Sequence, residues 1–169
     1  MTQRVLVAGV GNLFLGDDGF GPEVVRRLAA PGQEPLPASV RVVDYGIRGV
    51  HLAYDLLDDY DALVVLDAIP RGDAPGDITV LEVGPGDVGA SDLDAHGMNP
   101  VAVLGTVGSL GGSLPPTYVV GCRPESLAEG IGLSEAVAAA VPTAIEETRA
   151  LLARLCAAHD AGSVPAGRR

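Results

Sequence analysis

Residues 62–69 read ALVVLDAI, an unbroken apolar run with one acid near its end. A strand with Val and Leu on both faces must be covered on both sides. That is the environment of a central strand in a parallel sheet flanked by helices. The rest of the chain supplies the partners. Residues 4–10 (RVLVAGV), 39–46 (SVRVVDYG) and 117–122 (TYVVGC) have the composition of further strands. Pro22 opens a helix that carries Val24, Val25, Leu28 and Ala29 on one stripe. Residues 49–59 read as a second helix with Leu52, Leu56 and Leu57 facing the core. Residues 77–83 (DITVLEV) follow the third strand after a connection too short for a helical crossover, so this strand is expected to run antiparallel at an edge. A short helix is expected at 99–107. From Ser134 onward, Val137, Val141, Ile145, Thr148, Leu152 and Leu155 recur at helical spacing, and Pro142 is expected to kink or restart that helix. The predicted fold is α/β. It is a three-layer sandwich with a twisted, mostly parallel five-stranded sheet, helices on both faces and an antiparallel edge strand. One domain is expected over residues 1–158, with a disordered tail at 159–169.

Charge and cysteine content narrow the function. The 169-residue chain has a formal net charge of −11, which repels phosphate backbones and argues against nucleic-acid binding. No run approaches the roughly 18 apolar residues of a membrane span, and the apolar start at residues 5–10 is too short and too glycine-broken for a signal peptide. The two cysteines, Cys122 and Cys156, have no metal-knuckle spacing and read as reduced core thiols. A cytoplasmic monomer is the expectation.

The stretch GVGNLFLGDDGFG (9–21) lies between the first strand and the first helix, where many α/β proteins hold a phosphate. The dinucleotide fingerprint fails at its third position, which is Phe14 rather than glycine. No Lys-Ser/Thr pair follows the loop, so the Walker pattern fails too. Asp17 and Asp18 would place negative charge where a phosphate needs bare N–H donors. A helix-capping role could account for one of these acids but hardly for both.

Functional groups of open α/β sheets gather at the carboxyl ends of the strands. Asp18 follows the first strand, Asp67 ends the third, and His96 lies in the irregular segment 85–97. Two carboxylates and an imidazole form a three-ligand set that suits a borderline divalent metal with positions left open for another molecule. Each residue also has a plainer reading: Asp67 as a turn residue, His96 as a surface histidine. Asp44 ends the second strand but lacks the glycine fingerprint that a ribose-binding acid would accompany. His51, His159 and the acids Asp58, Asp59 and Asp61 read as solvated. Cys122 has no histidine partner in the sequence and reads as a buried small residue.

The ordered set GVGNLFLGDDGFG, VVDYGIRG, LVVLDAI, the His96 segment and VGCRPESLAEGIGLSEAV resembles the hydrogenase maturation endopeptidase family, from about residue 4 to residue 155. The resemblance implies a mostly parallel sheet between helices. It also implies removal of a C-terminal extension from the large-subunit precursor of a nickel–iron hydrogenase after nickel insertion. Asp18, Asp67 and His96 then match the family's metal-associated acid, acid and histidine. Nickel would arrive on the precursor, with no organic cofactor. Asp17 would cap or orient the turn. One carboxylate acting as general base on water is an alternative within the same chemistry. A non-catalytic metal or precursor chaperone and a nucleotide-binding α/β protein are the rival classes.

Overall fold

The computed structural model describes residues 3–83, 107 and 110–162. Five strands form one sheet: β1 (Val5–Val10), β2 (Val40–Gly46), β3 (Ala62–Ala68), β4 (Ile78–Val83) and β5 (Thr117–Cys122), in the order β2-β1-β3-β5-β4. β1 pairs in parallel with β2 and β3, and β3 pairs in parallel with β5. β4 closes the far edge antiparallel to β5, as the short β3–β4 connection predicts. Among the described residues, the helices with defined bounds are α1 (Phe20–Leu28), α2 (Gly49–Asp55) and α3 (Glu135–Gly162), and a 3₁₀ turn (Gly16–Gly19) precedes α1.

Alternation along the central strands fills two cores. Val5 and Val7 of β1 and Val64 and Leu66 of β3 pack with Phe20, Val24 and Leu28 of α1 and with Val137, Val141 and Leu152 of α3. Leu6, Ala8, Leu63 and Val65 point the other way, onto Leu52 and Ala53 of α2, Leu56 just beyond it, and Val107. β1 and β3 are buried throughout because helices cover both of their faces.

Two side chains leave their expected faces. Ala29 is exposed, because α1 ends at Leu28. α2 ends at Asp55, and Leu57 is 40% exposed. Leu52 and Leu56 are four residues apart and share a face, whereas Leu57 falls about 100° further round. Of the short helix expected at 99–107, only Val107 lies within the described residues, and it is buried.

The last helix does not restart at Pro142, which lies inside α3. Proline has no N–H, so the Ala138 carbonyl four residues earlier has no helical donor there. Pro142 is exposed. Pro142→Ala is therefore expected to stabilise the protein by about 1–2 kcal/mol, net of the extra freedom gained by the unfolded chain. Urea unfolding at unchanged m-value measures this. A loss of stability would mean that core packing depends on the proline.

The chain crosses from β1 to β2 through α1 on one face and returns from β2 to β3 through α2 on the other. The connections leaving β1 and β3 therefore diverge, and a crevice opens at the carboxyl ends of these two strands. This is the topological switch point where open α/β sheets bind their ligands.

Candidate active site

Asp18 and Asp67 meet at that crevice. Asp67 is the penultimate residue of β3 and only 6% exposed. Burial pushes its carboxyl well above the ordinary 3.8, the negative charge of Asp18 pushes it further, and a backbone hydrogen bond from Ala68 pulls weakly the other way. Asp18 is half-buried, and its Oδ2 accepts a hydrogen bond from the Asn12 backbone N–H at 2.8 Å. Among the described residues no arginine forms an ion pair with Asp67. Two acids thus share a poorly solvated crevice, an arrangement that a cation would relieve.

His96, the third residue of the expected trio, lies outside the described residues. Among the described residues no group of three or more His, Cys, Asp and Glu side chains is gathered to hold a metal. The Asp18–Asp67 pair offers oxygen donors with excess negative charge, which attract a divalent cation; a borderline ion such as nickel would also call for a nitrogen or sulfur donor from elsewhere.

Neither acid of the loop caps a helix. The 3₁₀ turn and α1 both begin without a side-chain cap. Asp17 is 1% exposed and turns into the protein, where Oδ2 accepts the backbone N–H groups of Glu125 (2.8 Å) and Ser126 (3.1 Å). The Ser134 hydroxyl also donates to Oδ2 at 2.9 Å, and the Ser134 backbone N–H donates to Oδ1 at 2.7 Å. Burial alone would raise the Asp17 carboxyl, but the hydrogen bonds from Ser134, Glu125 and Ser126 outweigh it and hold the group below 3.8. Successive residues of a 3₁₀ turn point about 120° apart, which is how neighbouring acids serve separate ends. Asp17 anchors the loop, and Asp18 faces the crevice.

Glycines make this loop possible. A Cβ on Gly21 would lie 2.1 Å from the Leu66 carbonyl oxygen and 2.6 Å from that of Val10, so α1 starts directly against β1 and β3. This is the close helix–sheet approach that the missing glycine at position 14 would otherwise supply. At Gly11 (φ +144°) a Cβ would meet the Asp18 carbonyl at 1.9 Å. The Gly11 N–H donates to the Gly46 carbonyl at 3.0 Å, which ties the loop to the end of β2.

The other candidates have local roles. Asp44 is exposed, and its Oδ1 accepts the Gly46 N–H at 2.8 Å. His51 is exposed and meets the Tyr45 ring edge-on, with centroids 6.0 Å apart. Asp61 is exposed and accepts the Arg4 N–H at 2.7 Å. Cys122 is fully buried, and its thiol is pushed up to about 12, first by burial and then by the charges of Asp17 and Asp77. It is not poised as a nucleophile.

A family model described as hydrogenase maturation protease matches residues 22–150. The chain belongs to the hydrogenase maturation protease family. It is 34% identical over 148 residues to the hydrogenase expression/formation protein HupD of Rhodobacter capsulatus, covering 86% of this chain and 69% of that protein. It is 33% identical over 153 residues to the hydrogenase 2 maturation protease of Escherichia coli, covering 89% and 91%. In structure it superimposes on the hydrogenase maturating endopeptidase HybD from E. coli with a TM-score of 0.76 at 30% identity, over 90% of this chain and 93% of that one. The HybD maturation protease from Thermococcus kodakarensis gives a TM-score of 0.70 at 25% identity, over 89% and 99%. This hydrogenase maturation protease is thus a processing endopeptidase, with the five-stranded, mostly parallel sheet of its relatives. Among the described residues no helix is long and apolar enough to cross a membrane.

Sequence reasoning missed the long reach of Asp17. The pattern Asp-Asp in a glycine-rich turn showed that two roles were needed, but not that residues 125–134 supply the second.

Proposed function

We propose that this protease removes a C-terminal extension from a nickel-loaded hydrogenase large-subunit precursor in the cytoplasm, and that Asp18, Asp67 and His96 read the metal. One observation carries the reading. A buried carboxylate and a half-buried one are held together at the switch point, and no arginine among the described residues is paired with Asp67. Two acids of like charge so close together attract a cation. Nickel is here part of the substrate, held by the precursor's cysteine thiolates. When bound, it would orient the scissile peptide and polarise its carbonyl as a Lewis acid.

The chain's own contribution is placement. The Asn12 amide fixes one oxygen of Asp18, and the Asp17 anchor fixes the loop beneath it. Asp67 sits on β3, a strand buried throughout, so its position is set by the core. A precursor without nickel brings no cation to Asp67. Cleavage then becomes a checkpoint for metal insertion.

Mass spectrometry of nickel-loaded and nickel-free precursor, each incubated with this protein, tests the reading. Loss of a C-terminal peptide from the loaded sample alone is the expected result. Equal cleavage of both would remove the nickel requirement. An uncut precursor that co-purifies with the protein would turn the reading toward a chaperone.

A further inference from the structure

Between Gly11 and Gly16 the loop reads NLFL, and Asn12 is its one polar side chain. Three groups of this half-buried residue are engaged inside the loop. Its side-chain Oδ1 accepts the Phe14 N–H at 2.9 Å. Its backbone carbonyl accepts the Leu15 N–H at 3.1 Å. Its own N–H donates to Asp18 Oδ2 at 2.8 Å. The Leu15 carbonyl accepts the Asp18 N–H at 3.1 Å, so two successive turns leave Asn12 and return to it at the Asp18 carboxylate. The far end of this ring is fixed by the neighbouring Asp17, which is bonded to Glu125, Ser126 and Ser134. The near end is held differently. Leu13 is 51% exposed and Phe14 66%, so little packing restrains the backbone that follows Asn12. Gly11, which precedes it, has no side chain to pack.

We propose that the Asn12 side chain is a positioning residue for Asp18: by holding the Phe14 N–H, it sets the turn that aims the Asn12 amide at the Asp18 carboxylate. The inference rests on the proteolytic reading above and deepens it by one residue. The last torsion of an aspartate is soft, so a carboxylate turns about it unless a donor holds one oxygen. A backbone N–H is such a donor only while its own peptide plane is fixed. Packing does not fix that plane here, and the bond from the Phe14 N–H to Asn12 Oδ1 supplies the restraint. Residue type follows from the same geometry. Short side chains with an oxygen, chiefly Asn and Asp, reach the amide two residues on. Aspartate would set a third negative charge beside Asp17 and Asp18, whereas asparagine makes the same bond uncharged.

Asn12→Ala in the full-length protein removes the side-chain acceptor and leaves the amide in place. Hydrogen exchange followed by NMR reads the amide of residue 12 directly, with no precursor and no metal. Asp18→Ala takes away the acceptor of that amide and so sets the exchange rate of the amide when it is not held. In Asn12→Ala, exchange at residue 12 is expected to rise at least about tenfold, toward the Asp18→Ala rate, while the buried Val7 and Leu66 keep the parent's protection. Asn12→Ser, whose hydroxyl accepts the same N–H more weakly, should fall between the two. For cleavage of the nickel-loaded precursor, kcat/KM is expected to fall about 10–100-fold in Asn12→Ala and to be partly recovered in Asn12→Ser. Protection retained at residue 12 in Asn12→Ala would overturn the proposal. Protection lost equally at Val7 and Leu66 would overturn it too, because the side chain would then support the fold at large. Protection lost at residue 12 with kcat/KM unchanged would leave Asp18 independent of Asn12 in cleavage, which also overturns it. A parent that leaves the loaded precursor uncut would overturn the proteolytic reading, while the exchange rates still decide whether Asn12 holds its amide on Asp18.

Discussion

Asp67→Asn is expected to raise the melting temperature of the isolated protein by several degrees while lowering cleavage by at least about 100-fold. The opposite signs follow from one cause. Asp67 is buried at 6% exposure next to Asp18, so its ionised form is disfavoured twice, by desolvation and by a like charge. Asparagine has nearly the same shape and carries no charge, so the native state loses a strained acid and little packing. On the proposed reading, cleavage loses the carboxylate that would face the metal. Outer-shell partners of metal ligands already cost about 10–100-fold when replaced, so a ligand should cost more. The pH dependence gives a further check. A carboxyl whose folded pKa lies above its unfolded value binds its proton more tightly in the native state. Its stabilising effect is complete below the unfolded value near 3.8 and is lost as pH rises through the higher folded value. The gain in Asp67→Asn should therefore be small near pH 4 and grow toward neutrality. Calorimetric scans across that range measure it. A variant less stable than the parent at neutral pH would show that Asp67 is not under electrostatic strain.

Asp17→Ala is expected to cost about 3 kcal/mol or more of stability and to abolish cleavage. Its carboxylate accepts the backbone N–H groups of Glu125, Ser126 and Ser134 and the Ser134 hydroxyl. Each buried donor left without an acceptor costs about 1–3 kcal/mol. Ser134→Ala removes only the hydroxyl donor and should cost about 1 kcal/mol. Acid should act on the parent through the same residue. The folded pKa of Asp17 is depressed, so its contribution is present above about pH 4 and is lost as pH falls through the folded value. Urea unfolding at pH 7 and at pH 3 separates the two proteins. The difference between parent and Asp17→Ala should shrink at the lower pH. An equal difference at both would mean that Asp17 acts by packing alone.

Much of the fold was legible because burial writes itself into short apolar runs. ALVVLDAI announced a strand covered on both faces, and β3 is the buried centre of the sheet. The brief link after it announced an antiparallel neighbour, because no helix fits in so few residues. Asp67 was legible as a strand-end acid for the same reason: an acid that ends a buried strand must be used or costs stability. Contacts between segments far apart in sequence were not legible. Nothing periodic links Asp17 to Ser134. Leu57 misled because helical spacing was extended past the end of α2 at Asp55. His96 lies outside the described residues, and its role rests on the family resemblance.

The Asp17 anchor joins residues 108, 109 and 117 positions apart in the chain. During synthesis, β1 and the loop with both acids leave the ribosome long before the segment that braces them. The Asp17 anchor therefore cannot be completed until Ser134 has emerged. The loop that carries both acids stays unbraced through most of the chain's own translation and gains its brace only when the last third arrives.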